Sequence, residues 1–205
     1  MLRFLPLIGV VLLVGIAFCW RPWLQFRRHG TLGIILFGAG GRGQILRDGL
    51  AQVLFVLLLG QAIVAAASPE SSFLAGTNHG PTREILQVAG AVLMFGGIAL
   101  LVAAQLNLGA SWRIGIDVEA KPGLVTRGLY RFCRNPIYLA LLVILAGYAL
   151  LLPTLLSLAL LLGTYVGNRL QISAEEAYLL HTYGTAYRNY ARRVGRFLPG
   201  IGKSR

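Results

Sequence analysis

Apolar residues in this chain form long unbroken runs, and polar residues collect in blocks between them. The runs Phe4 to Trp20, Gly49 to Ala67 and Ile85 to Gln105 each approach the roughly 20 residues that cross a hydrocarbon core of about 30 Å, so they predict three spans. A fourth run, Ile137 to Ile172, is too long for one helix and is broken by Pro153. Proline inside a helix removes a hydrogen bond and clashes with the preceding turn. This predicts two short helices, about 137 to 151 and 154 to 172, in a tight hairpin. Barrel strands would alternate apolar and polar residues, and only helices and closed barrels satisfy their backbone in lipid. The pattern therefore predicts an all-α integral membrane protein of about five transmembrane helices. Residues 1–205 form one membrane domain: three N-terminal spans within 1–105, with an interfacial or re-entrant segment at 31–48, and a C-terminal part, 106–205. That part carries a loop, the hairpin and a C-terminal helical segment.

Composition agrees, with 56% hydrophobic and 13% charged residues and a mean hydropathy of +0.69. A soluble domain carries about 25% charged residues. The net charge of +12 then sets orientation. With the N-terminus outside, only Arg3, Glu70, Arg83 and Glu84 lie outside, and they cancel. All other Lys, Arg, Asp and Glu residues fall on the inner side, as the positive-inside rule requires. These basic residues orient the chain and attract anionic headgroups. They are strung along loops and not gathered in one module, which argues against nucleic-acid binding.

Several local features are read structurally. Met1-Leu2-Arg3 before an apolar stretch fits a secretory signal, but no small-x-small cleavage site follows. Cys19 follows the bulky Phe18, which argues against a lipid anchor. Cys19 and Cys133 are expected to be free thiols, too few for a disulfide framework or a zinc site. His29, His79 and His181 are dispersed, so no metal site is expected. Gly38-Ala39-Gly40-Gly41-Arg42-Gly43 lacks the strand and helix that a phosphate-binding loop needs. It is read as interfacial, with Ile34 to Phe37 in the headgroup boundary and Arg42 and Arg47 toward phosphates. Gly90, Gly96 and Gly97 are assigned to close helix packing.

Two polar blocks, Pro122 to Tyr138 and Ser173 to Pro199, flank the predicted hairpin. In the first, Leu124-Val125-Thr126-Arg127-Gly128 reads as an extended piece turning at glycine, and Asn135-Pro136 starts a helix. Tyr130, Arg131, Arg134 and Tyr138 crowd that turn. Arg169, Gln171, Glu175 and Glu176 come where the last helix leaves the membrane. Gln171 and Glu175 share a helix face at i, i+4, while Arg169 and Glu176 lie two turns apart on another. Ionisable groups at membrane depth are costly and mark a site.

In these residues the chain resembles the isoprenylcysteine carboxyl methyltransferase family, in its bacterial form, and the related phospholipid N-methyltransferases. The resemblance rests on Leu108-Gly109-Ala110-Ser111-Trp112-Arg113, Leu124-Val125-Thr126-x-Gly128-x-Tyr130 and Arg134-x-Pro136-x-Tyr138. It continues through Glu175-Glu176, Tyr183-Gly184, Tyr187, Tyr190 and Val194-x-Arg196-x-x-Pro199, and so covers the C-terminal half. It implies an S-adenosylmethionine-dependent methyltransferase in a bacterial inner membrane, with its site and C-terminus cytosolic, and identifies 106–205 as the methyltransferase core. It also implies a cofactor pocket under a C-terminal cap and a lipid-like or prenylated acceptor arriving from the membrane. By motif position the cofactor would meet Gly123, Leu124, Val125, Tyr130, Arg134, Asn135, Pro136, Ile137, Tyr138, Glu175 and Glu176. Arg169, Gln171 and Glu175 would be the catalytic group, Glu175 anchoring the cofactor and Arg169 or Gln171 facing the acceptor.

The sequence departs from the family at three points. Asn135 stands where the family often has histidine, Pro122 where eukaryotic members have histidine, and Gln171 where they have a substrate-contacting arginine. The residue types nonetheless suit the cofactor: aromatic walls from Tyr130 and Tyr138, a carboxylate from Glu175, and polar donors from Arg134 and Asn135. Two other readings remain open on the sequence. One is an NADPH-dependent membrane reductase resembling sterol reductases, which would need a basic 2′-phosphate subsite that Arg131, Arg134 and Arg188 could form. The other is a non-enzymatic scaffold or small transporter, although no internal repeat is evident.

Overall fold

A computed structural model of the chain describes residues 2–35, 41–68, 81–115 and 123–202. Every regular element among them is helical, with isolated bridges pairing Ile34 to Ile114 and Cys133 to Gly195. The elements are α1 (Leu5–Val14), a π-helical stretch (Gly15–Trp20), α2 (Arg21–His29), α3 (Gly41–Ala67), α4 (Pro81–Leu108), α5 (Pro136–Leu151) and α6 (Leu155–Arg193). Four helical stretches are long and apolar enough to cross a membrane, and α5 is a shorter apolar helix. The chain is a multi-pass membrane protein.

The first helical stretch does not stop at Trp20. It runs through the π-helical segment to His29 and ends at Gly30, whose φ of +73° is the left-handed conformation typical of a helix terminus. This extension carries Arg21 inward instead of leaving it at the interface. Its Nη2 donates to the Gly109 carbonyl at 2.8 Å, its Nη1 to Gln25 at 2.9 Å, and the guanidinium lies 4.6 Å from the Trp112 ring centroid. Gln25 donates in turn to the Ala110 carbonyl. A cation placed on the carbonyls of the turn that follows α4 complements the negative pole of that helix.

The second helix likewise begins earlier than its apolar run, at Gly41, so residues 41–48 are helical and not a re-entrant loop. Residues 36–40, the rest of the glycine-rich segment, lie outside the described residues, as do Glu70, His79 and Pro122.

The tightest packing joins α4 to α5. A Cβ on Gly147 would overlap the backbone of Gly90 and Met94, and one on Gly90 would come within 2.8 Å of the Gly147 carbonyl oxygen. Gly97 is pressed in the same way against Ile144, whereas Gly96 has nothing within 4 Å. Lipid is as apolar as leucine, so helices in a bilayer gain by close backbone approach, which small residues permit. Around this seam sit Met94, Leu101, Ile144, Tyr148 and Leu160, all buried. At the end of the bundle formed by the α5–α6 turn, Gln61 of α3 donates to Thr154 at 2.7 Å and to Ser157 at 3.0 Å.

Pro153 separates α5 from α6 as its position requires, and Thr154 caps α6 by accepting from the Ser157 amide at 3.0 Å. The pair is less of an isolated hairpin than the sequence suggests, because α5 leans chiefly on α4 while α6 also contacts α3. Nor does α6 end near Ile172. It continues to Arg193 with a break at Gly184 (φ +49°, ψ −120°), a conformation open to glycine at little cost. From Leu155 to the break it is already about 43 Å long by the 1.5 Å rise per residue, well over a hydrocarbon core of about 30 Å. Its second half therefore extends beyond the bundle and meets the residues that precede α5.

Candidate functional site

A cavity of about 480 Å³ runs from this meeting point into the helix bundle. Its polar end is lined by Gly123, Leu124, Val125, Tyr130, Arg134, Asn135, Ile137 and Tyr138 on one side and by Gln171 and Glu175 of α6 on the other. Its apolar end continues between helices, past Leu13, Leu54, Leu58, Leu101, Leu145 and Leu160. Two blocks more than 30 positions apart in sequence thus form one wall.

Each polar side chain here is held by a local cause. Gly128, at φ +61°, starts a short 3₁₀ turn, and a side chain there would overlap Asn107, whose Oδ1 accepts the Leu129 amide at 2.8 Å. That turn delivers Tyr130, whose carbonyl accepts the Tyr190 hydroxyl at 2.6 Å. Pro136 opens α5, where a missing N–H costs nothing. Two residues on, the Tyr138 hydroxyl donates to Glu175. Gln171 Nε2 donates to the same carboxylate oxygen at 3.0 Å. The Glu175 carboxylate is held by two neutral donors at the cavity wall.

Burial, and after it the charge of Glu175, pushes the Tyr130 phenol well above its ordinary range. Burial also raises the Cys133 thiol, against the opposing pull of the Asn135 amide and the Arg134 charge. Both side chains stay neutral at physiological pH.

Not every residue expected at the site faces the cavity. Glu176 points the other way and pairs with Arg134 at 2.9 Å and with Arg196. Arg134 lines the cavity, but its donors are engaged by protein. Nε and Nη2 go to Glu176, Nη1 to the Ala191 and Val194 carbonyls at 2.8 and 2.7 Å, and Nη2 also to the Gly202 carbonyl at 3.2 Å. Asn135 Nδ2 adds a bond to the Arg196 carbonyl. This knot ties the tail after α6 to the turn before α5, so Arg134 and Glu176 build the cap. Pro136 is buried at the start of α5 without lining the cavity, and Arg169 is exposed on the outer face of α6. Arg131 lies over the Phe132 ring and Arg188 is exposed. With Arg134 saturated, the three arginines do not build a phosphate subsite at the cavity.

Other lining residues were given no place in the site on the sequence, although Trp112, Arg113, Tyr183, Tyr187 and Tyr190 belong to the motifs that carry the resemblance. Leu179, Tyr183, Tyr187 and Tyr190 line the cavity from the far part of α6. Their spacing of four, four and three is the helical repeat that would have found them. Trp112 and Arg113 also line it. The largest omission is Arg47, read as facing headgroups. It turns inward, and its Nε donates to Gln171 Oε1 at 2.8 Å. No sequence signal links two residues 124 positions apart.

Among the described residues, no three His, Cys, Asp or Glu side chains gather to hold a metal ion. Comparison with known proteins points to a family of membrane methyltransferases. Residues 85–186 match the phospholipid methyltransferase family. The chain is 30% identical over 117 residues to Protein-S-isoprenylcysteine O-methyltransferase A of Arabidopsis thaliana, covering 55% of this chain and 58% of that relative.

The chain is similar to this methyltransferase family over just under half of its length.

It thus spans little more than half the length of that curated relative. Its fold is similar to that of the eukaryotic intramembrane Ras methyltransferase ICMT, with a TM-score of 0.52 at 22% identity over 82% of this chain and 71% of the other. The family match begins with α4 and ends past Tyr183, so it embraces the α4–α5 seam and Glu175. It leaves out α1 to α3, and with them Arg47.

Proposed function

We propose that the chain is an S-adenosylmethionine-dependent methyltransferase that works at the cytosolic membrane face on a hydrophobic or amphipathic acceptor. One observation carries this reading: a single cavity joins a polar end holding the Glu175 carboxylate to an apolar end between the helices. Such a shape accommodates a polar donor and a greasy acceptor end to end.

The residues present fit the cofactor by type. Glu175, oriented by Tyr138 and Gln171, offers a carboxylate to the cofactor ammonium. Tyr130, Tyr183 and Tyr187 supply aromatic faces for adenine, and Gly123, Leu124 and Val125 supply a backbone edge. Arg134 is excluded from direct contact with the cofactor carboxylate by its own five bonds, and Asn135 Nδ2 by its bonds to Glu176 and the Arg196 carbonyl, which leaves that role to backbone amides.

When bound, S-adenosylmethionine supplies an electrophilic sulfonium methyl, so the protein's own tasks are binding, orientation and exclusion of water. Orientation of two partners can contribute about 7 to 11 kcal/mol toward a barrier. The cap tied down by Arg134 closes the polar end against solvent, and neutral Tyr130 keeps a second negative charge away from Glu175. No group here is needed as a base when the acceptor is already anionic.

Calorimetry on the detergent-purified protein tests the reading. S-adenosylmethionine should bind the parent chain, and Glu175→Ala should weaken it markedly. Undiminished affinity in that variant would remove the anchor role, and no binding to the parent would remove the function. Competition with NADPH in a thermal-shift experiment separates the reductase reading, for which no phosphate subsite is assembled.

A further inference from the structure

We infer that Gln105 of α4 is a specificity-determining residue, and that it selects an acceptor carrying a neutral hydroxyl group on its apolar body. The inference rests on the methyltransferase reading and adds a feature that the acceptor presents within the apolar part of the cavity.

Leu101, Gln105 and Leu108 are the α4 residues that line the cavity, spaced four and three apart as one helix face requires. Ala17 and Phe18 of the π-helical stretch line it too, and π-helical turns recur at functional sites. Just beyond that stretch, Arg21 Nη2 donates to the Gln105 carbonyl oxygen at 3.5 Å, so the stretch and the end of α4 are neighbours. The backbone beneath Gln105 is held in place.

Its side chain lacks such a partner. Gln105 is only 4% exposed, and among the described residues its Oε1 is one of three buried side-chain polar atoms with no hydrogen bond. The other two, Arg21 Nε and Gln44 Oε1, belong to residues that do not line the cavity. A buried polar atom left unpaired destabilises a protein, so folded chains pair almost all of them. An orphan amide set between two leucines of a cavity wall is completed by whatever occupies the cavity.

The surroundings define that partner. A charged group would have to shed its water among Leu13, Val14, Leu101 and Leu108, which is costly. A plain hydrocarbon would leave the amide unpaired. A hydroxyl brings one proton to give, which one carbonyl oxygen satisfies, whereas a primary amide brings two. The terminal torsion of a glutamine is soft, so the Gln105 amide can turn its oxygen to meet that proton. A site built around such a bond discriminates against an analogue that lacks it. Gln105 thus acts on the body of the acceptor, while the reacting atoms belong at the Glu175 end.

The test uses the purified full chain with stearate and with monohydroxy stearates whose hydroxyl stands near the head, at mid-chain or near the far end, titrated by calorimetry. The parent should bind one of the hydroxylated probes about three- to tenfold more tightly than stearate, the value of one neutral hydrogen bond. Gln105→Met, which keeps the shape and removes the amide, should bring that ratio to one or below while S-adenosylmethionine affinity stays within about twofold. Without any probe, the same substitution should raise the melting temperature by about 2 to 4 °C, because it removes the orphan atom. A residue kept only for structure would move it the other way. A parent that prefers none of the hydroxylated probes overturns the inference, and that measurement needs no variant. A preference that survives in Gln105→Met overturns it too, and so does a falling melting temperature, which would mean that the amide is paired without an occupant. Failure of S-adenosylmethionine to bind the parent sinks the methyltransferase reading instead, and is read in a separate arm.

Discussion

Arg134, on the turn before α5, and Glu176, on α6, form an ion pair at 2.9 Å across 42 positions of sequence, with side-chain exposures of only 3% and 14%. The pair joins the two polar blocks on the side away from the cavity. Removing one partner of a buried pair strands the other, at a cost of about 3 to 5 kcal/mol. Glu176→Ala is therefore expected to lower the melting temperature and to expose residues 194–202 to protease. Unchanged melting and proteolysis would show that the tail is held by its backbone contacts alone.

Tyr138 and Glu175 are coupled on the cavity side. Tyr138→Phe removes one donor and leaves the carboxylate, so S-adenosylmethionine affinity should fall by about three- to tenfold, the value of one hydrogen bond. Glu175→Gln removes the charge and should cost about 10- to 100-fold. Calorimetry on both variants reads the ranking, and a larger loss for Tyr138→Phe would contradict an electrostatic role for Glu175.

Gly147 lies against the backbone of α4, whereas Gly96 faces open space. Gly147→Leu must push α5 away from α4 and should destabilise the protein by at least the roughly 1 to 3 kcal/mol typical of overpacking. Gly96→Leu should leave the melting temperature in detergent unchanged. Equal effects at the two positions would mean that the α4–α5 seam does not carry the packing assigned to it.

Cys133 is buried and donates to the Arg196 carbonyl at 3.5 Å. Its raised pKa lowers the thiolate fraction near neutral pH, and thiolate is the form that reacts. Iodoacetamide at pH 7.5 should leave Cys133 largely unmodified in the folded protein, with labelling rising only above the ordinary thiol range and on denaturation. Peptide mass spectrometry follows the site, and rapid labelling at neutral pH would show that the cap opens freely.

Much of the scaffold was legible beforehand. The long apolar runs mark helices because each is a property of about 20 consecutive residues, and Pro153 and Pro136 mark an interruption and a start by their own covalent geometry. Gly90 and Gly97 were readable as packing residues, although the partner Gly147 was not. Helix ends were less legible: α1–α2, α3 and α6 all run past their apolar stretches, because Arg21, Gln44 and Tyr190 find buried partners that no hydropathy window shows. The split between Glu175 and Glu176 was likewise hidden. Adjacent residues on a helix point about 100° apart, and only the neighbours decide which of the two meets the cavity.

By itself, the sequence determined that the chain is a helical membrane protein whose polar chemistry gathers in two blocks around α5 and α6. Hydropathy and turn chemistry act over short stretches, so they are written locally. The tertiary structure alone decided which charges serve the cavity. Glu175 was chosen over Glu176, Arg134 was absorbed into the cap, and Arg47 was brought to Gln171 from α3, 124 positions away in sequence. Each of those choices depends on a contact between distant parts of the chain, where burial makes a charge costly unless a specific partner meets it.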